Sequence, residues 1–576
     1  MPSWWVNSVP KGARSLAERE KPSDAAHISL VRTHAARAST LFWTPIATIG
    51  AAALAVEIPF FFLGTPSGHD VEFHLYSWLE VLSQWKHGIF FPRWAELAHF
   101  GYGEPRFVFY PPASWTLGAL LSAIFPWTIA AGVYIWIVLV AAGASMFVLA
   151  RRWLDRRDAI FAATLYAVNP YHLVIVYWRS AFAELLASCL LPLLLLLVLK
   201  VVNGERRVIV PLSFVLAGAW LTNAPAAVMI HYSLALLILF FAWQRRSPKF
   251  VLVGAGAIAL GACLSAFYLL PAVYEQKWVN IAEAVSAGAR PQDNFLFIRT
   301  SDPDHDHFNR IITWVAMSEM VVTLASAWAA KSWRENNRAL WNSLFAWAIA
   351  CSVLMFSVTT PLWRLLPKLE FVQFPWRWLL CLGMMFSIFL TVGVRRWWVR
   401  IAVCSVTLGI IGIAWHRIQP PWWDNAADLR EMRDNMADAI GYEGTDEYAP
   451  LGADPSAIDK DARKVTVDGP ARAAIRVARW DPEFKAFSAE MSAPDQLALR
   501  LFSYPAWRVQ VNGRVVEAGQ REATGQMLVP VEAGVNRVQI ALIRTWDRTA
   551  GGWISVLSGL FLILWSLQIR RRASAP

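Results

Sequence analysis

Charged residues are scarce in this chain of 576 residues: only 16% are Asp, Glu, Lys or Arg, whereas 56% are hydrophobic. A soluble globular protein carries roughly 25% charged residues. The composition therefore excludes a string of soluble domains and predicts a polytopic membrane protein. The formal net charge of +11 is spread over short basic clusters between apolar runs, which excludes nucleic acid as the expected partner.

Cysteine is scarce too. The 5 cysteines lie in apolar runs and lack CxxC spacing, which excludes a disulfide framework and a structural zinc site. They are Cys189, Cys263, Cys351, Cys381 and Cys404. The GxSxG, Walker A, HExxH and Rossmann patterns are missing from their required settings, so ATP-driven transport and zinc-dependent hydrolysis have no support. A secretory signal is also missing, and residues 1–40 are expected to form a flexible cytoplasmic arm.

Long apolar runs are abundant instead. A helix needs about 20 apolar residues to cross the hydrocarbon core, and the sequence contains twelve such runs. We predict spans at 41–63, 127–150, 158–175, 182–201, 208–223, 226–243, 250–273, 311–330, 340–358, 376–394, 401–416 and 551–569. Every second connection between them is basic, which places both termini in the cytoplasm. Residues 113–125 are expected to form a helix along the outer interface, anchored by Trp115, Phe125 and Trp127.

The segment 417–550 is predicted to form an extracytoplasmic domain between the membrane domain, 41–416, and the last helix with its basic tail, 551–576. Residues 417–460 are acidic and helix-like. Residues 463–545 alternate between polar and apolar side chains, which predicts a β-sandwich with a hairpin turn at Asn512–Gly513. The sandwich is suited to hold an acceptor glycan or a partner protein.

Several carboxylates are predicted on the outer side of the membrane. They are Glu57, Glu184, Glu275 and Glu319, together with Asp70 in the outer loop 64–112. An Asp at the centre of a membrane helix costs roughly 2.5–3.5 kcal/mol on insertion scales, so such residues favour a functional interpretation. A cavity open to the outer leaflet would explain them. The alternative is that each carboxylate reaches the headgroups or caps a helix.

The densest polar cluster is the run from Gly68 to His74. If Asp70 begins a helix, its carboxylate and the His74 imidazole lie one turn apart on one face, with Glu72 turned away. Asp70 is then placed to act as a general base toward a hydroxyl, with His74 positioning it or sharing a metal. The alternative is that Asp70 is only an N-cap.

Four motifs resemble a known family. The loop carries His69-Asp-Val-Glu-Phe-His74, Phe91-Pro-Arg-Trp94 and the run Gly101 to Pro112, and Phe371-Val-Gln-Phe-Pro-Trp-Arg377-Trp lies further on. These resemble bacterial membrane proteins labelled 6-pyruvoyl-tetrahydropterin synthase-related. In layout the chain is similar to the GT-C superfamily of lipid-linked-sugar glycosyltransferases. The resemblance implies a GT-C-like helical membrane fold in the bacterial inner membrane.

The GT-C resemblance implies an acidic residue in the first outer loop and another in the next outer turn, which together hold the acceptor or a divalent metal such as Mg or Mn. Asp70 fits the first position and Glu184 the second, although many members use Asp in the second turn. Arg179 and Arg377 are expected to bind phosphate, because a guanidinium donates two hydrogen bonds at once. The other expected site residues are His74 and Glu72 as local support, and His69 and Tyr110 as substrate contacts.

Two of these assignments have alternatives. For Arg179 the alternative is a structural ion pair with Glu184 that binds no phosphate. For Arg377 it is an interfacial position in an aromatic belt beside Trp376 and Trp378. The run Ser301–His307 also offers ligands for a divalent ion, but such a run is more often a solvated loop.

The function predicted is transfer of a sugar from a polyprenyl-phosphate donor to an envelope glycan, lipid or protein outside the cytoplasm. A flippase or transporter of lipid-linked glycans, or a non-catalytic assembly scaffold, remains an alternative. A transporter is expected to show broken helices or acidic residues at the bilayer midplane.

Overall fold

A computed structural model describes residues 43–205, 208–418 and 422–573 of the chain. The arm predicted at 1–40 lies outside the described residues. The main compact unit begins at Thr48, and of the unit before it only residues 43–47 are described, as the start of a helix.

Apolar helices dominate the described residues. Eight of them are long and apolar enough to cross a membrane: Trp43–Leu63, Trp127–Ala150, Arg156–Arg179, Phe182–Val202, Ala224–Arg245, Pro303–Ala329, Pro375–Gly393 and Trp546–Trp565. Two more candidates are helix pairs bent by 79° and 91°, namely Lys249–Leu264 with Ala266–Trp278 and Arg338–Leu354 with Ser357–Leu365. The chain is therefore a polytopic helical protein.

The two remaining predicted spans are also helical but short. Ile209–Thr222 has 14 residues, and Trp397–Val406 is the apolar part, among the described residues, of the helix Trp397–Ile418. By length and composition the described chain has 8 helices that can cross, or up to 10 with the bent pairs. The apolar runs thus located helices correctly, while among the described residues fewer helices qualify as candidate crossings by length and composition than the twelve spans predicted.

Two further helices of more than ten residues lie between the first two spans, at Val71–Lys86 and Pro112–Ile124. The second matches the helix predicted at 113–125, but two of its proposed anchors do not face lipid. Trp115 is 1% exposed, and Trp127 is buried and donates its indole N–H to the Leu429 carbonyl at 2.6 Å. The prediction that these tryptophans are interface anchors is therefore wrong.

The segment after the eleventh predicted span begins with a strand and a short helix. The strand β2 (Trp423–Asp424) pairs antiparallel with β1 (Thr65–Pro66). The helix Ala426–Ala437 starts with a capping box formed by Asn425 and Asp428. Among the described residues, the segment predicted to be helical at 417–460 is otherwise in turns and short 3₁₀ helices.

Nine strands then form two antiparallel sheets. They are β3 (Val465–Val467), β4 (Ala473–Asp481), β5 (Phe484–Met491), β6 (Asp495–Phe502), β7 (Trp507–Val511), β8 (Arg514–Val516), β9 (Gly519–Gln520), β10 (Gln526–Val531) and β11 (Gly534–Leu542). The strand orders are β3-β6-β10-β9 and β4-β5-β11-β7-β8. Asn512 and Gly513 connect β7 to β8 with φ angles of 52° and 80°, as expected of the Asn-Gly hairpin turn.

The loop between the first two spans packs into the core of these sheets. Trp94 lies 5.2 Å from the ring of Trp507, and Tyr102 lies 5.5 Å from that of Phe502. All four side chains are buried. Because a shared apolar core resists relative movement, the sheets hold this loop in place above the helices.

Candidate functional site

Two loops that are about 110 residues apart meet at one end of the helices. The backbone N–H of Asp70 donates to the Arg179 carbonyl at 2.9 Å, and that of Gly68 donates to the Ser180 hydroxyl at 3.1 Å. The first loop is thus bonded to the turn between two spans, and Asp70 lies beside Arg179.

Asp70 occupies the N-cap position of the helix Val71–Lys86, but its carboxylate makes no capping hydrogen bond. Instead, Oδ2 accepts a hydrogen bond from Nη2 of Arg179 at 3.3 Å. The Asp70 side chain is 40% exposed. The alternative of a simple N-cap therefore does not hold, because this carboxylate faces a cation and solvent.

Glu184 is the buried centre of the cluster, with only 1% of its side chain exposed. Its Oε2 accepts from Nη1 of Arg179 at 2.5 Å and from Nε of Arg377 at 3.1 Å. Its Oε1 accepts from the Tyr171 hydroxyl at 2.5 Å. Two guanidinium groups and a phenol therefore fix this carboxylate, as a buried charge requires.

Arg179 reaches Glu184 because the third span ends in an irregular turn. Asn169 caps a short helix, Pro170–Val174, by accepting from the backbone N–H of His172. A π-helical turn, Ile175–Arg179, follows, and Ser180 then adopts a left-handed conformation with φ 49°. Arg179 consequently lies in the turn before the next helix, which is where a residue five positions before Glu184 can meet it.

Arg377 comes from a distant part of the chain, in a 3₁₀ turn that opens the span Pro375–Gly393. Its Nη1 donates to the Val372 carbonyl and to Oε1 of Gln373, both at 2.8 Å. The ring of Phe374 lies 4.5 Å from the Arg377 guanidinium and 5.5 Å from that of Arg179. Arg377 is buried, which contradicts the alternative of an arginine in an interfacial belt.

His74 and Tyr110 lie behind Asp70. The His74 ring stacks on Phe182 at 5.1 Å and lies 5.8 Å from the Tyr110 ring. Burial, the largest effect, lowers the pKa of His74 to about 4, and Arg106 and Arg179 act in the same direction. The imidazole is therefore neutral near pH 7, and its direct bond to Asp70 is from backbone N–H to carbonyl, at 3.1 Å.

The remaining candidates are less central. Glu72 and His69 are exposed, and neither is among the side chains that bond Arg179 or Glu184. The His69 ring lies 6.0 Å from that of Phe308. Among the outer carboxylates, Glu275 lies elsewhere and binds Arg548 through two hydrogen bonds of 2.6 and 2.7 Å.

Sequence reasoning missed Tyr171 and Glu319 as parts of the cluster. Glu319 is buried, and its Oε1 accepts from the backbone N–H of Tyr171 at 3.2 Å. The hydroxyl of the same tyrosine bonds Glu184. Tyr171 lies between Pro170 and His172, and no motif near it indicates a role, while Glu319 was indicated only as a charge within a span.

The residues implied for a divalent metal do not fit one as they are arranged. The guanidinium of Arg179 stands between Asp70 and Glu184, where a bridging cation would bind. Across residues 43–205, 208–418 and 422–573, no group of three or more His, Cys, Asp and Glu side chains could hold a metal. In the run Ser301–His307, Asp302 instead caps a helix by accepting from the backbone N–H of Asp304 and His305.

Comparison with known proteins gives a family and several distant structures. A model of the family described as "6-pyruvoyl-tetrahydropterin synthase related domain; membrane protein" matches residues 107–419, which is more than half of the chain. No curated protein matches the chain.

Three solved structures are similar over most of the chain. The oligosaccharyltransferase of Archaeoglobus fulgidus in its apo form is 13% identical with a TM-score of 0.38, and covers 70% of this chain and 57% of its own. ArnT from Cupriavidus metallidurans bound to undecaprenyl phosphate is 14% identical with a TM-score of 0.42, covering 65% of each chain. AglB from A. fulgidus with an inhibitory peptide and a dolichol-phosphate is 14% identical with a TM-score of 0.37, covering 70% and 56%. The chain thus spans less than two thirds of the length of each.

Proposed function

The chain belongs to the 6-pyruvoyl-tetrahydropterin synthase-related family of membrane proteins, and we propose that it is a GT-C type glycosyltransferase. It transfers a sugar from a polyprenyl-phosphate donor to a hydroxyl of an envelope glycan, lipid or protein. The observation that carries the proposal is Arg179, which is held between the half-exposed Asp70 and the buried Glu184.

Arg179 and Arg377 would bind the donor phosphate. Both guanidinium groups contact Oε2 of Glu184, so they lie side by side and share one buried carboxylate. A guanidinium has five N–H donors and suits phosphate oxygens. Glu184 would position the two cations rather than react, because it is buried and already accepts three hydrogen bonds.

Asp70 would be the general base, because it is the carboxylate of the cluster that solvent reaches. In the proposed step the acceptor hydroxyl oxygen forms a bond to the anomeric carbon and loses its proton to Asp70 Oδ1 or Oδ2. The bond from the anomeric carbon to the phosphate oxygen breaks, and the polyprenyl phosphate leaves with that electron pair, held by the two arginines. Direct displacement inverts the configuration. Proton transfer to a positioned base contributes typically 10²–10⁴-fold to rate.

The proposed location is the outer face of a bacterial inner membrane, with both termini cytoplasmic. Asp70, Arg179, Glu184 and Arg377 all lie at or just beyond the ends of spans and touch one another, so they share one end of the helical part. The strand pair β1–β2 places the start of the sheet region at this same end. The basic connections predicted from the sequence lie at the opposite end.

The test is transfer of labelled sugar from extracted polyprenyl-phosphate sugars in membranes that contain equal amounts of wild type or Asp70→Asn. We expect transfer to fall by about 10²-fold or more while the donor accumulates. Asp434→Asn is the matched control, since this exposed aspartate lies on the helix Ala426–Ala437 and its ion pair is with Arg433, outside the cluster. Equal transfer by wild type and Asp70→Asn would remove Asp70 as the base.

One observation favours a second candidate, transport of a lipid-linked glycan. Two candidate spans are bent by 79° and 91°, and broken spans are typical of transporters. In sealed vesicles a transporter would move the intact lipid-linked glycan across the bilayer and release no free polyprenyl phosphate. A transferase would release polyprenyl phosphate in proportion to the sugar transferred, so one measurement separates the two.

A further inference from the structure

The five-stranded sheet has one face that the described residues leave uncovered. On its central strand, β11, Val538 and Ile540 are buried in the core between the sheets, whereas Arg537 and Gln539 are exposed on the opposite face. The four-stranded sheet differs, because neighbouring residues of β6 such as Leu497 and Ala498 are both buried. Side chains of a strand alternate between faces, so both faces of β6 are covered.

Strand register places four arginines on the bare face. Arg537 is paired with Ser488 of β5, and Ser488 is paired with Arg476 of β4. Ala541 of β11 is paired with Arg508 of β7. The fourth is Arg479, which is paired with Ala486 after a bulge in β4. We call this surface the arginine face, defined by Arg476, Arg479, Arg508 and Arg537.

The positive charge of the arginine face is mostly uncompensated. Arg479 donates to Asp481 at 3.0 Å, but Arg476, Arg508 and Arg537 form no ion pair within the described part of the chain. One further acid, Glu490, shares this face. Four guanidinium groups against two carboxylates make a surface that attracts anions.

Small side chains form the floor of the arginine face. Ala486, Ser488 and Ala541 lie between the arginines, and the amides of Gln510 and Gln539 are paired across neighbouring strands. Adjacent strands are about 4.8 Å apart, so Arg476 and Arg537 stand about 10 Å apart across Ser488. An extended ligand can therefore lie on the floor and meet guanidinium groups on both sides.

The chemistry of this face is that of a glycan site rather than a protein interface. The core of a protein interface is enriched in aromatic residues and depleted in charge. The arginine face instead carries arginines from its edge strand β4 to its central strand β11 and on β7, and one half-buried aromatic ring, that of Phe484. Gln amides can donate and accept hydrogen bonds, as sugar hydroxyls require. Guanidinium groups match carboxylates and phosphates.

We propose that the arginine face binds an extended anionic glycan, whose carboxylate or phosphate groups pair with Arg476, Arg508 and Arg537 while its hydroxyls bond Gln510 and Gln539. This binding site is separate from the cluster around Arg179 and needs neither a donor lipid nor turnover. Its failure and the failure of the proposed transferase are therefore distinguishable.

The test uses the full-length chain in nanodiscs of phosphatidylcholine, a lipid without net charge. The probes are a polygalacturonate oligomer, a dextran oligomer of equal length as the neutral comparison, and vesicles of phosphatidylglycerol. The variant combines Arg476→Gln, Arg508→Gln and Arg537→Gln. The control combines Arg430→Gln, Arg433→Gln and Arg463→Gln, which removes the same charge from exposed positions elsewhere.

We expect polygalacturonate to bind at least tenfold more tightly than dextran at low salt and to weaken as salt rises. The arginine-face variant should lose about tenfold in affinity, and the control variant should keep the wild-type affinity. The proposal is overturned if polygalacturonate binds no better than dextran, or if both variants weaken equally, which would be an effect of net charge. It is also overturned if the arginines matter only for the vesicles, which would indicate a lipid-binding surface.

Discussion

Gly68 and Trp178 touch backbone to backbone: a Cβ atom added to Gly68 would lie 2.4 Å from the carbonyl oxygen of Trp178. No side chain fits there without separating the two loops that carry Asp70 and Arg179. Glycine is therefore needed at this position because the two backbones approach closely, and not because the backbone conformation is unusual.

Gly68→Ala should accordingly lower the free energy of unfolding by about 1–3 kcal/mol, the usual cost of overpacking, and reduce sugar transfer. Gly559→Ala is the control, because nothing lies within 4 Å of its added Cβ and alanine favours helix. Thermal unfolding in detergent, together with the transfer assay, checks both. An alanine at position 68 that changes neither stability nor transfer would show that the loops need not touch.

Glu184→Gln should destabilise the chain strongly, because it leaves Arg179 and Arg377 buried without their shared carboxylate. Breaking a buried ion pair from one side costs about 3–5 kcal/mol. Tyr171→Phe removes only one hydrogen bond to the same carboxylate, and should cost about 1.5–3 kcal/mol. Unfolding in detergent measures the free energy of unfolding of both variants, and we expect the larger loss for Glu184→Gln. A larger loss for Tyr171→Phe would contradict the assignment of Glu184 as the partner of both arginines.

Glu319 should act on the site only through Tyr171. Glu319→Gln keeps an oxygen that can accept from the Tyr171 backbone N–H, so it should transfer sugar nearly as well as wild type. Glu319→Leu removes the acceptor, and we expect it to raise the KM for the donor several-fold with a smaller change in kcat, because the arginines held by Glu184 are displaced. If kcat falls in both variants while KM is unchanged, the carboxylate itself takes part in the reaction.

His74 should make stability fall on mild acidification. Its pKa is lowered to about 4 in the folded chain, mainly by burial, and is about 6.5 when unfolded. The folded state thus binds fewer protons, so the contribution of His74 is fully present above pH 6.5 and is lost as the pH falls from 6.5 through 4.

The slope approaches about 1.4 kcal/mol per pH unit within this window. His74→Phe keeps an aromatic ring against Phe182 and should remove this part of the slope, which chemical unfolding at several pH values measures. Parallel pH profiles for wild type and His74→Phe would refute the assignment.

Apolar length located the helices well, but it could not say which of their faces meet lipid. Trp115 and Trp127 were assigned to the interface, and both are buried against protein. Lipid tails and protein interiors are equally apolar, so hydrophobicity does not separate the two environments. Alternation worked better in the five-stranded sheet, where one face is exposed to solvent, and it marked strands at Val509 and Val538.

The candidate site was only partly accessible from sequence. Motif and charge singled out Asp70, Arg179, Glu184 and Arg377, and the structure places all four within one hydrogen-bonded cluster. Spacing could not show that Arg179 lies between the two carboxylates, since this depends on the π-helical turn and the left-handed Ser180. Tyr171 could not be identified from the sequence, because its partners are Glu184, 13 positions away, and Glu319, 148 positions away.

The pairing of Thr65–Pro66 with Trp423–Asp424 also limits how early during synthesis the first loop can reach its final position. The first loop leaves the ribosome more than 350 residues ahead of its partner strand, and Arg377 is likewise made late. Until those residues have been synthesised, Asp70 and its neighbours lie beside newly inserted helices without the β1–β2 pairing and without Arg377. The cluster therefore cannot be completed before about two thirds of the chain has been made, and a chain truncated before Trp423 would lack both the strand that pairs with the first loop and the last span.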